Sequence, residues 1–218
     1  MDYSEKIEFY EILSESEKAL LQQGISRKTY RKGEQIHGDS GQCSGVLIVL
    51  KGKVRAYMLS EEGREITLYY LEEGETCIMS ASCVMNCIAF EVHIEADADV
   101  EVLQIAASNF SSIEKSNLKV ANFALKLAVE RFSDVMWAMQ QLLFFSMDKR
   151  LAMYLYDETS KAKTNVLKVT HEEIAKNLAS AREVVTRLLQ NFQKDGLVEL
   201  SRGKVTVLNK GSLAKILD

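Results

Sequence analysis

The sequence predicts an α+β chain with an N-terminal antiparallel β-roll of jelly-roll-like form, one long helix, and a C-terminal helix–turn–helix followed by a β-hairpin. Three observations predict this. Glycines at 33, 45, 52, 63 and 74 punctuate short apolar runs at intervals of about ten residues, the rhythm of antiparallel strands and turns. From Gly74 to Gly196 there is no glycine, and there is no proline anywhere, so a helix can run without a breaker. Near the C-terminus, "THEEIAKNLASAREVVTRLLQNFQKDGLVEL" holds two amphipathic segments separated by three small residues.

Composition sets the outer bounds. The 218 residues are 47% hydrophobic and 27% charged, with no low-complexity tract and no apolar run long enough for a bilayer, so a soluble protein is expected. The start, "MDYSEKIEFYEIL", is acidic and has neither a basic nor an apolar leader region, so a cytoplasmic location is expected. Four cysteines are too few for a disulfide scaffold in a chain of this length and are read as thiols. The net charge of −4 is unevenly divided: residues 1–146 carry 14 basic and 22 acidic side chains, whereas residues 147–218 carry 13 and 9. A basic last third on an acidic chain suits a separate anion-binding module.

The elements follow in order. "GVLIVLKG", "KVRAYMLSEEG" and "REITLYYLEEG" read as strands, and "FEVHIEA" with "VEVLQI" as a last pair. A helix is then expected from about 113 to 146. Along it Leu118/Ala121, Leu125/Ala128, Phe132/Val135 and Met139/Leu142 repeat every seven residues for four heptads, the spacing of a seam against a partner helix. Leu127, Val129, Met136 and Leu143 supply a second apolar face for the chain's own roll, so the seam is assigned to a homodimer. The domain boundary is placed at Ser146, giving residues 1–146 and 147–218. "DKRLAMYLYDET" reads as a further amphipathic helix.

Thr170 with Glu173 has the form of a capping box starting a short helix, and Ser180 with Glu183 a second one starting "REVVTRLLQNFQKD", which Gly196 closes. Arg182 and Arg187 then lie at the end of a helix whose dipole disfavours cations, beside Glu183. In isolation each is a solvated surface charge or a cap. Together they share one exposed face, and a helix of this kind lies in the major groove, where Arg is bidentate to guanine and Glu accepts from cytosine N4. Thr170, His171, Ser180 and Thr186 complete the expected contact set, and "SRGK" places Arg202 and Lys204 at a hairpin tip suited to phosphates.

The segment resembles the DNA-binding domain of the CRP/FNR superfamily of bacterial transcription regulators, in which a small residue precedes Ser-Arg-Glu-x-Val-x-Arg-x-Leu and Gly-Leu precedes the wing. Arg182, Glu183, Val185, Arg187, Leu189 and "DGLV" match, while Ala179 stands where glycine is common and Ala181 where Ser or Thr is common. The order of roll, long helix and winged helix extends the resemblance over nearly the whole chain. It implies a homodimeric, non-enzymatic regulator that reads a palindromic operator in double-stranded DNA, with RNA polymerase as a further partner.

The resemblance is weaker in the sensor half. Nucleotide-binding members carry Gly-Glu-(Leu/Ile) and, about ten residues later, Arg-(Ser/Thr)-Ala, because a cyclic phosphate needs backbone N–H groups, a guanidinium and a hydroxyl. Here Ile78 and Met79 stand at the first pair, and Phe90 and Glu91 at the arginine and the hydroxyl; Val135 and Met136 replace the hydroxyls of the long helix. No cyclic nucleotide is expected. The candidate effector pocket is Glu75, Cys77, Met79, Ser82, Cys83, Cys87, Phe90, Val135 and Met136. Cys77, Cys83 and Cys87, with Cys43 upstream, leave a thiol or metal-based redox switch open against the alternative of small core residues. There is no CxxC and no N-terminal cysteine cluster, so an iron–sulfur centre is not expected, nor haem, and His37 and His93 are read as structural or surface residues. A thiol enzyme with Cys83 or Cys87 and His93 lacks an orienting group and leaves the helix–turn–helix unexplained. A winged helix that binds proteins instead of DNA is the remaining alternative.

Overall fold

A computed structural model describes residues 3–38, 44–63, 65–78 and 91–217. Contacts divide the chain into two compact units, Met1–Gly63 with Leu68–Met136, and Trp137–Asp218 with Arg64–Thr67.

The first unit opens with helix α1 (Glu15–Gly24), started by a capping box between Ser14 and Glu17. Strands β1 (Ile25–Tyr30), β2 (Gln35–His37), β3 (Val46–Lys51), β4 (Val54–Leu59), β5 (Glu65–Leu71), β6 (Thr76–Cys77), β7 (His93–Ala96) and β8 (Val100–Ile105) follow. They form two four-stranded sheets, in the orders β1-β8-β3-β6 and β2-β7-β4-β5. Every pairing described is antiparallel. β3 shows why the roll closes. Its run "VLIV" is buried on both faces: Leu47 and Val49 pack with Ile36, Val54, Ile94 and Val102, while Val46 and Ile48 pack with Phe9, Leu103, Phe110 and Ile113. The turn after β3 requires glycine, since Gly52 has φ +90° and a Cβ there would lie 2.5 Å from the Asp99 carbonyl oxygen. β1, β2, β6 and α1 were not legible in the sequence; β1 is exposed along its middle, so it carries no apolar alternation.

The helical stretch expected from about 113 is two helices, α2 (Ala107–Ser116) and α3 (Leu118–Phe144). Asn117 separates them. Its backbone is extended, its side-chain oxygen accepts from Lys119 N–H at 3.0 Å, and its amide donates to the Ile12 carbonyl at 3.1 Å. It caps α3 in place of continuing α2. Heptad periodicity does not reveal this break because α2 is itself helical.

The face that α3 turns to the roll is Val120, Ala124, Leu127 and Arg131, at the i, i+4, i+7, i+11 spacing of a helix stripe. Of the second apolar face read from the sequence, only Leu127 lies there. Val129, Met136 and Leu143 are exposed together with Leu118, Leu125, Phe132 and Met139. Ala121, Ala128 and Leu142 are half-buried, and Val135 packs against the roll's cluster.

In the second unit, Ser146 caps helix α4 (Met147–Lys161) by accepting from Lys149 N–H at 3.3 Å. Strand β9 (Val166–Leu167), helices α5 (His171–Asn177) and α6 (Arg182–Lys194), strands β10 (Val198–Ser201) and β11 (Lys204–Val207), and helix α7 (Lys210–Leu217) follow. The hairpin β10–β11 gains β9 as a third strand on β11, a two-residue strand too short to leave a pattern in the sequence. α4, α5, α6 and α7 share one core, centred on Leu151, Leu155, Ile174, Val185, Leu189 and Leu213.

Candidate nucleic-acid interface

The inner face of α6 fixes the direction of its outer face. Val185, Leu189 and Phe192 recur at i, i+4 and i+7 and are buried, each stabilising the docked helix by about 1.5–3 kcal/mol. Arg182, Glu183 and Arg187 point the other way and are exposed. Among the described residues no ion pair neutralises them.

The turn before α6 departs from the expected capping box. Thr170 and Glu173 do form one at the start of α5, with both reciprocal bonds present. Ser180 and Glu183 do not. The residue at the cap of α6 is Ala181, which offers no side-chain acceptor. Ala179 adopts φ 47°, the left-handed conformation that glycine takes without strain, and the Ser180 N–H donates to the Ala175 carbonyl at 3.0 Å. Ser180 is thereby held in the turn, one residue too early to cap. The first N–H groups of α6 are left without a side-chain acceptor, which suits them to a phosphate oxygen.

α5 and α6 are tied across the turn by Arg150 of α4. This buried guanidinium donates to the Leu178 carbonyl at the C-terminal end of α5 and lies 3.2 Å from the Met147 sulfur. Burial holds it below the ordinary arginine value, an unusual pressure on a side chain that stays charged. A second tie joins two predicted contact residues: His171 Nδ1 and Thr186 Oγ1 are 2.9 Å apart. Burial, and then the positive charge of Arg182, hold the His171 imidazole below its ordinary value.

A groove of about 610 Å³ lies between the helices and the hairpin. Thr170, His171 and Arg182 line one side; Ser201, Arg202 and Gly203 line the other. Lys204, at the start of β11, is exposed. All nine residues expected to meet nucleic acid therefore lie in this one unit, with the arginines and Glu183 outermost. Sequence reasoning missed Arg150, whose signal was a charge in the apolar frame of "DKRLAMYLY".

The expected effector residues are only partly described. Met79, Ser82, Cys83, Cys87 and Phe90, and Cys43 upstream, lie outside the described residues. Cys77 is buried in β6, Val135 is half-buried against the roll, and Met136 is exposed. Glu75 is engaged: its Oε1 accepts from Arg131 Nη2 at 3.0 Å and its Oε2 from the Glu72 N–H at 2.7 Å. Arg131 also donates to Asp134 at 2.9 Å and lies 5.1 Å above the Tyr69 ring. Burial opposes the guanidinium charge, but Glu75 and then Asp134 outweigh it and hold the group above its ordinary value. Arg131, Tyr69 and Asp134 were not singled out in the sequence; Arg131 is detectable as the one charge on the buried stripe of α3. The two remaining histidines are structural: His93 is buried, stacked on Tyr57 and bonded to Gln35, and His37 is bonded to Ser44.

A fold of roll, long helix and helix–turn–helix with a basic reading face defines a class of DNA-binding regulator. Residues 27–117 match the cyclic nucleotide-binding domain model, and residues 149–216 match the Crp-like helix-turn-helix domain model. A solved structure of a crp/fnr family transcriptional regulator from Eubacterium rectale ATCC 33656 is 44% identical, with a TM-score of 0.93, covering 98% of this chain and 99% of that one. The chain belongs to the CRP/FNR family of DNA-binding transcription regulators. It is also 25% identical to the cyclic AMP receptor protein of Thermus thermophilus over 194 residues, 88% of each chain. To the global nitrogen regulator of Nostoc sp. PCC 7120 it is 24% identical over 195 residues, covering 86% of this chain and 87% of the other.

Proposed function

We propose that the protein is a homodimer that reads a palindromic operator through Arg182, Glu183 and Arg187, in response to an effector that is not a cyclic nucleotide. The observation that carries the reading of DNA is the exposed, unneutralised Arg182–Glu183–Arg187 face at the uncapped start of α6. Helix N–H groups and the groove beside Arg202 hold phosphates, while the two arginines and the carboxylate meet base edges. Homodimerisation is supported by the row Leu118, Leu125, Phe132 and Met139, which the chain leaves exposed on one side of α3. An exclusion of cyclic nucleotides is supported by exposed Glu91 and by Val135, which offers no hydroxyl where it packs against the roll. The regulator works in the cytoplasm with RNA polymerase as its further partner, and no metal or haem is assigned to it.

Selection of bound sequences from a random DNA library tests this reading. The expected product is a two-fold symmetric site with half-sites one helical turn, about 34 Å, apart, bound by two chains. Recovery of an asymmetric single half-site bound by a monomer refutes the dimeric reading. Absence of any sequence preference points to a winged helix that binds protein instead.

A further inference from the structure

Arg131 brings a charge to the buried stripe of α3, and two polar atoms of its surroundings have no hydrogen bond. These are the Arg131 Nε–H and the Tyr69 hydroxyl, both buried. The guanidinium lies over the Tyr69 ring, so both belong to one contact between β5 and α3. Burial, and then the neighbouring Cys77 sulfur, push the Tyr69 hydroxyl well above its ordinary value; it stays a proton donor, and the sulfur does not complete a hydrogen bond. Buried donors are nearly always matched by acceptors, so two unmatched in one contact point to a ligand.

The surrounding charges decide its class. The other two nitrogens of Arg131 already serve Glu75 and Asp134, two carboxylates against one guanidinium. An anion would add to an excess of negative charge, and an ammonium would bring donors to donors. Leu68, Leu71, Cys77 and Val135 belong to the apolar cluster around Tyr69. We propose that this contact binds an uncharged, largely apolar effector that presents a carbonyl or ring-nitrogen acceptor to Tyr69 Oη and Arg131 Nε. The proposal rests on the effector-dependent reading above and supplies its missing chemistry. Because Tyr69 stands on a strand and Arg131 on α3, such a ligand would bear on both at once, which is what biasing one arrangement over another requires.

The test uses the full-length protein and matched probes: butanone, cyclohexanone and acetophenone against butyrate, cyclohexanecarboxylate and benzoate, with benzylamine as the cation. Nitrogen-15 NMR follows the Arg131 Nε–H signal, assigned by its loss in Arg131→Lys. At least one ketone is expected to move that signal saturably while its carboxylate partner and benzylamine do not. Tyr69→Phe, which keeps the ring, is expected to weaken ketone binding roughly 3- to 10-fold, the share of one neutral hydrogen bond. The proposal is overturned if no ketone moves the signal, if a carboxylate or benzylamine binds as well as the ketones, or if Tyr69→Phe binds ketone as tightly as the native chain. Failure here with palindromic DNA still bound rejects the ligand chemistry alone; loss of DNA binding in every condition rejects the reading beneath it.

Discussion

Phe132→Ala isolates the α3 seam, because Phe132 is 65% exposed within the chain and so contributes little to the chain's own core. Full burial of such a side chain is worth about 1.5–3 kcal/mol, so covering the exposed two-thirds is worth about 1–2 kcal/mol per copy. A two-fold interface contains the residue twice, which doubles this to about 2–4 kcal/mol. At about 1.4 kcal/mol per tenfold, the dimer dissociation constant is expected to rise roughly thirty- to several-hundred-fold. Sedimentation equilibrium over a concentration series measures it, and circular dichroism of the same samples reports the fold. Leu125→Ala, at 63% exposure one heptad earlier, is expected to behave alike. A native chain that is monomeric at high concentration, or a Phe132→Ala chain that dimerises as tightly as native, refutes the assignment of this face.

Four further outcomes are expected. Arg182→Lys or Arg187→Lys loses about 1–3 kcal/mol at the selected site and relaxes base preference, because an ammonium cannot make the planar bidentate contact; Lys204→Ala weakens all sequences alike in gel-shift titrations. Neither cyclic AMP nor cyclic GMP gives a calorimetric isotherm, and a micromolar dissociation constant for either overturns the effector reading. Thr170→Ala removes the capping box of α5 and costs about 1 kcal/mol, read as a drop of about 2–4 °C in thermal midpoint. His171 is held below its ordinary value of 6.5, so the folded state binds fewer protons than the unfolded one and stability falls as pH drops through about 6.5. In His171→Gln that part of the slope is absent. On DNA the sign reverses, since a phosphate favours the imidazolium, and native affinity strengthens as pH falls from about 7.5 to about 6.

What the sequence determined by itself are the features with local causes. Glycine spacing marked the turns of the roll, the 3.6-residue rhythm of Val185, Leu189 and Phe192 oriented α6, and the Thr170–Glu173 pair started α5 where its chemistry places a helix. The arginine-rich face followed, because a helix whose inner stripe is known has a known outer one. Tertiary structure decided whatever depended on a distant partner. Asn117 interrupts a stretch of good helix formers because its amide reaches the Ile12 carbonyl, 105 residues away. Ser180 fails to cap α6 because its N–H is drawn to the Ala175 carbonyl while Ala179 takes a left-handed turn. Val129, Met136 and Leu143 are apolar like Leu127 yet face away from the roll, since apolarity states that a residue is to be covered and not by what. Arg131, charged and exposed by every rule of sequence reading, is buried because Glu75, brought up by the fold at the edge of β6, and its own neighbour Asp134 balance its charge there.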